Sequence, residues 1–270
     1  MAEPPATARA LAPETKTDAL APEMKTDALD AVVFDAGGTL VRLDFEWMAD
    51  LLRPLGFDLD ADAMRRAEVE GRKRYDASWS ALAQDPAPLG RRGDVRAYFG
   101  GTLEAAGVPK ERVAEIVERF LDRERTQGLW VRPAEGAREA LDAIGAMGLR
   151  RAVVSNSDGR AEWHLRHTGV HEGIEFVVDS KLVGVEKPDP EVFHIALRRL
   201  GVEARRALYV GDIRSVDEVG ARAAGMHFVL IDPSGSYAAP RSPAIREIRE
   251  LPAWIATRAR AGYFTRRSTC

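Results

Sequence analysis

The stretch "AVVFDAGGTLV", Ala31–Val41, indicates both the fold and the kind of chemistry. Its apolar first half is typical of a buried strand, and Asp35 follows that strand into a glycine-rich turn. There Asp35 is a candidate nucleophile or metal ligand, while Gly37 and Gly38 allow backbone groups to approach an anion closely. Thr39 offers a hydroxyl to the aspartate or to a phosphate. The alternative is a plain strand-to-turn transition in which the aspartate only caps the turn.

This first β-rich run, Val32–Asp35, is followed by four others that also end in small or polar residues. They are Ala152–Ser155, Phe176–Asp179, Leu208–Gly211 and Phe228–Ile231. The later runs alternate with helical stretches, which are Arg160–Thr168, Glu191–Leu200 and Val216–Ala224. The alternation predicts an α/β fold with a Rossmann-like, doubly wound parallel sheet covered on both faces. Ligands bind at the carboxyl ends of the strands in such sheets.

A long interval without convincing strands separates the first two runs. Its predicted helices are Phe45–Leu55, Asp62–Ala83, Asp94–Ala106 and Lys110–Arg125, with a loop marked by Pro86, Pro88, Gly90 and Gly93. A helical block inserted after the first strand would lie over the carboxyl end of that strand, where a lid belongs. The alternative is an unrelated helical domain.

The chain is therefore divided as follows. The core takes 30–44 and 129–255, the helical cap 45–128, a disordered tail 1–29 and a basic tail 256–270. The first tail contains a tandem nonamer, Ala10–Asp18 and Ala19–Asp27, which buries too little apolar surface to offset its ordering entropy.

Composition excludes several classes of protein. The net charge of −3 gives no indication of a nucleic acid or an anionic membrane as partner. No apolar run approaches the roughly 18 residues of a membrane span. The single cysteine, Cys270, excludes an internal disulfide framework and fits a cytoplasmic location. Oligomeric state is not indicated, and His164, His167 and His171 are assigned to the surface.

Two clusters offer groups that can bind a phosphate. In "VVSNSDG", Ser155 and Asn156 place a hydroxyl and an amide at a strand end, and Asp158 is a candidate cap for the next helix. In "EKPDPEVF", Lys187 stands just before a helix whose predicted N-cap is Asp189. An ammonium at that point can neutralise a phosphoryl group or a carboxylate nucleophile. The alternatives are a capped turn and a solvated lysine.

A third cluster, "LYVGDIRSVDEVG", carries two acids close to a strand end. Asp212 follows the strand directly, and Asp217 comes five residues later. Two carboxylates near each other repel unless a cation compensates them. Mg²⁺ prefers oxygen ligands and is the natural compensator. The alternative is one capping and one surface aspartate.

Taken in order, these clusters resemble the four motifs of the haloacid dehalogenase superfamily of hydrolases. "FDAGGTL" resembles the first motif, Ser155 with Asn156 the second, Lys187 in "KPDP" the third and "GDIRSVD" the fourth. The resemblance extends from about Val32 to Pro233 and implies a Rossmann-like core with a helical cap inserted after the first motif.

The resemblance also implies a mechanism, which begins with attack by Asp35 on a small phosphorylated substrate. The product in phosphatases of this family is an aspartyl-phosphate, which water then hydrolyses. The groups assigned to the transferring phosphoryl group are Gly38, Thr39, Ser155, Asn156 and Lys187. Those assigned to Mg²⁺ are Asp35, the main-chain carbonyl of Gly37, and Asp212. Asp217 is assigned to positioning Lys187 or a metal-bound water.

The sequence departs from the phosphatase pattern at Gly37, where a second aspartate usually protonates the leaving oxygen and then activates water. Three interpretations stay open: a slow or selective Mg²⁺-dependent phosphatase, a dehalogenase-like or phosphonatase-like hydrolase, and a pseudo-enzyme that binds a phosphorylated ligand or a protein. The acid pair Asp212 and Asp217 favours the first. A phosphonatase-like enzyme needs a cap lysine, for which Lys73 is a candidate.

If the second acid is all that is missing, Gly37→Asp is expected to raise the rate of phosphate release. General acid–base catalysis contributes ~10²–10⁴-fold, so even partial recovery is measurable with an unactivated phosphate ester. An unchanged or lower rate contradicts this account.

Overall fold

The computed structural model describes residues 29–83, 95–235, 237 and 242–265. The predicted N-terminal tail except Leu29, the loop with Pro86, Pro88, Gly90 and Gly93, and residues 266–270 lie outside the described residues.

Six parallel strands form the central sheet of the described chain. They are β1 (Ala31–Phe34), β4 (Arg150–Ser155), β5 (Val177–Asp179), β6 (Ala207–Gly211), β7 (His227–Ile231) and β8 (Ala244–Ile245). Their order is β5-β4-β1-β6-β7-β8, which confirms the predicted Rossmann-like sheet. The edge strand β8 was not predicted, since two residues are too few to give a pattern.

The register of the sheet brings three polar strand ends to one level. Phe34 at the end of β1 lies opposite Val153 of β4 and Val210 of β6. Because the strands are parallel, the residues that follow them leave the sheet at the same edge. Asp35, Ser155 and Asp212 are thereby gathered above the middle of the sheet.

Helices cover both faces of the sheet. They are α5 (Ala137–Ala146), α6 (Ala161–His167), α7 (Ser180–Val183), α8 (Pro190–Leu200), α9 (Val219–Ala223) and α10 (Leu251–Arg260). Along β1 the side chains alternate, so that Phe34 packs with α5 and α10 while Val33 packs with α8 and α9. The β1 side chains on both faces of the sheet are fully buried.

The C-terminal part of the described chain includes residues that the sequence assigned to a basic tail. α10 continues through Arg260, and Phe264 is buried against Trp254. The predicted basic tail over 256–270 is thus helical and packed over its described part. No helix among the described residues is long and apolar enough to cross a membrane.

A helical block lies between β2 (Val41–Arg42) and β3 (Arg132–Pro133), which pair as a short antiparallel ribbon. The helices of this block are α1 (Phe45–Leu52), α2 (Ala61–Ala83), α3 (Val95–Ala105) and α4 (Lys110–Thr126), all close to the predicted bounds. They enclose an apolar core of their own.

Close packing of α2 and α3 depends on glycine. A Cβ at Gly71 would lie 2.2 Å from Thr102 Oγ1 and 2.5 Å from the Tyr98 carbonyl oxygen. A Cβ at Gly101 would lie 2.9 Å from the Glu70 carbonyl oxygen. Contact at such distances requires a residue without a side chain on both helices. It places Arg72 of α2 and Tyr98 of α3 side by side.

One buried carboxylate joins the two connections between the sheet and the helical block. Asp44 accepts hydrogen bonds from Arg123 of α4 at 2.8 Å and from Arg132 of β3 at 3.0 Å. It also caps α1 through the Trp47 N–H, and its own N–H donates to the Leu129 carbonyl at 2.9 Å. This set of contacts is called the Asp44 clasp below.

Candidate active site

A crevice of about 580 Å³ opens at the carboxyl ends of β1, β4 and β6, beneath the helical block. The predicted residues that line it are Asp35, Gly37, Ser155, Asn156, Lys187, Asp212 and Asp217. The block and the return connection contribute Tyr75, Tyr98, Leu121, Glu124 and Trp130. The three other sequence clusters therefore meet the Asp35 turn in one cavity.

Lys187 is the central cation of the crevice and is fully buried. Its ammonium donates to Asp35 Oδ1 at 2.5 Å, to Asp217 Oδ1 at 2.7 Å and to the Tyr209 hydroxyl at 3.1 Å. The Tyr209 hydroxyl in turn donates to the Val154 carbonyl at 2.9 Å. All three protons of the ammonium have an acceptor, as a buried charge requires.

Asn156 fixes the backbone that carries this lysine. Its side-chain oxygen accepts the Lys187 N–H at 2.8 Å, and its side-chain nitrogen donates to the Lys187 carbonyl at 2.9 Å. The amide was predicted to bind substrate. These hydrogen bonds also make it a positioning group, and both Asn156 and the neighbouring Ser155 line the crevice.

Asp217 organises the fourth motif, "GDIRSVD". While its Oδ1 faces Lys187, its Oδ2 accepts the backbone N–H groups of Asp212 at 3.0 Å and Ile213 at 2.9 Å. It lies in a π-helical turn, Arg214–Glu218, that precedes α9. A Cβ at Gly211 would lie 2.4 Å from the Asp217 carboxyl carbon, so this approach needs the glycine. Both oxygens are saturated by protein donors.

Burial and charge shift the pKa values of these groups. Burial raises the pKa of Asp35 to about 6 against the opposing charge of Lys187. Burial also raises the pKa of Asp212 well above its ordinary value, although Arg72 opposes the shift. For Lys187, burial alone would lower the pKa, but the carboxylates of Asp217 and Asp35 outweigh it and the pKa is raised. The lysine is therefore charged, and ionised Asp35 and Asp212 call for further positive charge.

Part of that charge comes from the helical block. Arg72 of α2 is buried with one guanidinium nitrogen 3.3 Å from Asp212 Oδ2 and another 3.1 Å from Glu68 Oε2. Tyr98 of α3 donates to the other oxygen of Glu68. Arg72 also reaches the Ile231 carbonyl at the end of β7, at 3.4 Å. A buried ion pair thus connects the block with the sheet.

The carboxylate oxygens of the crevice are suited to bind a divalent cation. Oxygens of Asp35, Asp212 and Asp217 lie within 4.8 Å of one another. Asp212 Oδ1 is buried and has no hydrogen-bond partner within the described chain. An orphaned carboxylate oxygen beside a second carboxylate is the donor chemistry that Mg²⁺ prefers.

Gly38 and Thr39 do not line the crevice. The Gly38 N–H donates to the Val41 carbonyl at 2.7 Å, and Thr39 is buried beneath the turn. Gly38 has φ +77°, and a Cβ there would lie 2.1 Å from Asp212 Oδ2. Gly38 thus allows the turn after β1 to touch the turn after β6, while Ala36 and Gly37 line the cavity.

Two further predictions, for His164 and Asp158 at the far wall of the crevice, are wrong. His164 is buried, with Nε2 3.7 Å from Glu124 Oε1, whereas it was assigned to the surface. The N-terminus of α6 is bound by Asp179, which accepts the N–H groups of Gly159 and Ala161 at 3.1 Å each. Asp158, the predicted cap, pairs with Arg160 instead.

Sequence reasoning missed Tyr209 and Trp130. Tyr209 places a hydroxyl group in the otherwise apolar strand "ALYVG". A polar group in a buried strand is a pattern from which its role could have been predicted. Lys73, the candidate cap lysine, pairs with Glu70 and is partly exposed. It is not among the residues that line the crevice.

A family model described as haloacid dehalogenase-like hydrolase matches residues 29–225. Haloacid dehalogenase-like hydrolase domain-containing protein 3 from Bos taurus is 37% identical over 148 residues, which are 54% of this chain and 57% of that protein. The chain thus spans just over half the length of that relative.

Two further matches cover more of the chain. N-acetylmuramic acid 6-phosphate phosphatase from Pseudomonas aeruginosa is 31% identical over 211 residues, 76% of this chain and 84% of that protein. A crystal structure of a dehalogenase with an intermediate complex superposes with a TM-score of 0.57 at 21% identity, covering 84% of this chain and 97% of that one. The latter match shows the shared fold.

Arg72→Met is expected to lower the free energy of unfolding by about 3–5 kcal/mol, because it leaves the buried carboxylate of Glu68 without its cation. Arg74→Met is the matched control, since Arg74 forms a half-exposed pair with Glu104 worth about 0–1 kcal/mol. Urea denaturation measures both. Equal losses for the two variants contradict the assignment of Arg72 as the buried link.

Proposed function

Since the chain belongs to the haloacid dehalogenase-like hydrolase family, we propose that it is a Mg²⁺-dependent phosphatase acting on a small phosphorylated metabolite. The observation that carries the proposal is the Asp35 carboxylate, with Oδ1 held 2.5 Å from a buried ammonium at the floor of a crevice. One oxygen is fixed by Lys187, which leaves the other for attack.

The reaction takes two steps on this carboxylate. In the first, an Asp35 oxygen attacks phosphorus, the bond from phosphorus to the leaving oxygen breaks, and an aspartyl-phosphate forms. In the second, water attacks phosphorus, the bond to Asp35 breaks, and inorganic phosphate is released. Lys187 and the Ser155 hydroxyl stay in place through both steps and balance the charge of the phosphoryl oxygens.

The groups proposed to hold Mg²⁺ are Asp35, the main-chain carbonyl of Gly37, and Asp212. Support comes from the orphaned Oδ1 of Asp212 and from the burial of both carboxylates. When bound, Mg²⁺ neutralises charge on the phosphoryl oxygens. Asp217 is proposed to act through Lys187 and the Asp212 backbone, because its own oxygens are saturated.

A small substrate is supported by the size of the crevice and by a relative. About 580 Å³ lies within the ~300–1,000 Å³ typical of small-molecule sites. The Pseudomonas aeruginosa relative is named a phosphatase of N-acetylmuramic acid 6-phosphate. We extend from it only the phosphatase reaction and the small phosphorylated substrate.

Asp35→Asn is expected to reduce Mg²⁺-dependent phosphate release from an activated aryl phosphate by more than about 10³-fold, because the amide cannot act as the nucleophile. Asp142→Asn, an exposed aspartate paired with Arg138, serves as control and keeps wild-type activity. Phosphate release is followed colorimetrically with both variants folded.

Other outcomes of the same screen separate the alternatives. No turnover of any phosphate ester by folded wild-type protein contradicts the proposed function. Chloride release from a 2-haloacid without added metal favours a dehalogenase, for which the absence of an acid at Gly37 is no handicap. Tight binding of a phosphate analogue without turnover favours a pseudo-enzyme.

Mg²⁺ at about 100 times its dissociation constant is expected to raise the melting temperature of wild-type protein by roughly 5–10 °C. Asp212→Asn should lose most of this shift, because an amide replaces the orphaned carboxylate oxygen. Differential scanning fluorimetry with and without Mg²⁺ gives the shift for each variant, and Asp142→Asn is again the control. A full shift in Asp212→Asn contradicts the assigned ligand.

A further inference from the structure

Trp130 lies where a side chain at residue 37 would begin. A Cβ built on Gly37 would lie 3.2 Å from both Cδ1 and Nε1 of the Trp130 indole. Such a contact is tighter than most, so an aspartate at this position requires the indole to move. Gly37 is not in the left-handed region, so the constraint on a side chain at this position comes from the indole rather than from the backbone.

The indole is held in place from several sides. Its ring packs against Phe99 with centroids 5.8 Å apart and against Tyr98 with centroids 6.3 Å apart. The preceding residue, Leu129, donates its N–H to Glu124 Oε2 at 2.5 Å and accepts from the Asp44 N–H. Trp130 is therefore part of a fixed connection rather than a free surface side chain.

The polar edge of the ring has the chemistry of a donor only. An indole N–H donates one hydrogen bond and neither accepts one nor gives up its proton at neutral pH. Trp130 lines the crevice, and no acceptor for its N–H is found in the described part of the chain. The N–H is thus available to an oxygen of a bound substrate near Gly37.

We propose that Trp130 takes the place of the second acid of the first motif, donating a hydrogen bond from Nε1 to the leaving oxygen without transferring a proton. This inference rests on the proposed phosphatase function and narrows its substrate class. A leaving group that is stabilised but not protonated must depart as a stable anion. The preferred substrates are therefore acyl phosphates or phosphates of acidic hydroxyl groups, and simple alkyl phosphates are poor ones.

Trp130→Phe keeps the ring packing and removes the N–H, which makes it the first test. With a series of substituted aryl phosphates, we expect a loss of about 10- to 100-fold in kcat/KM, from one lost hydrogen bond to a developing anion. The loss should grow as the leaving group becomes poorer. Trp254→Phe, on α10 away from the crevice, is the matched control. An unchanged dependence on the leaving group overturns the donor role while leaving the phosphatase intact.

Gly37→Asp tests whether the Trp130 indole excludes an acidic side chain from residue 37. The sequence alone predicts a gain in rate for this variant. With the indole in place, it is expected instead to lower the unfolding midpoint and to give little gain in rate, because the aspartate competes with Trp130 for space. Combined with Trp130→Ala, it should recover both the midpoint and the turnover of alkyl phosphates. Additive effects of the two substitutions on the unfolding midpoint overturn the steric part of the proposal.

If wild-type protein hydrolyses no phosphate ester, the proposed function is contradicted, and this result is known before any variant is compared. In that case the indole is observed directly, by ¹H–¹⁵N spectra of the tryptophan side chains titrated with orthovanadate. The Nε1 resonance absent from Trp130→Phe should shift, while that of Trp254 stays. No shift of the Trp130 resonance overturns the proposal.

Discussion

The buried ammonium of Lys187 is the constraint on which the site depends. Burying an unpaired charge costs a large amount of free energy, so the lysine must be paired with carboxylates at hydrogen-bond distance. Asp35 and Asp217 match it at 2.5 and 2.7 Å. Since Asp217 uses its second oxygen to hold the Asp212 backbone, and Asn156 holds the backbone of the lysine, this one charge fixes the positions of all four motifs. The geometry of attack therefore depends on charge balance as well as on the close approach that Gly38 and Gly211 allow.

The part of this arrangement that is local in the chain was predictable. Apolar runs that end in polar residues locate Asp35, Ser155 and Asp212, and parallel pairing brings those ends together whatever the connecting segments are. Pro190 after Asp189 likewise predicts the start of α8, and Asp189 accepts the Glu191 N–H as expected. These features need only the strand period and capping chemistry.

The rest depends on packing between distant segments, which no local pattern encodes. Arg72 is one of three consecutive cations, and the rotation of α2 against α3 alone decides that it is buried while Lys73 is not. The cap of α6 comes from Asp179, eighteen residues away, rather than from the nearer Asp158. Trp130 likewise meets Gly37 across the return connection, whose Leu129 carbonyl accepts the Asp44 N–H.

The Asp44 clasp also ties both chain crossings between the sheet and the helical block to one carboxylate. Arg72 adds a second tie between the block and the sheet, through its ion pair with Asp212. Two ties restrict rotation of the block over the sheet more than either would alone. Any wider opening of the crevice therefore has to break one of these charged contacts first.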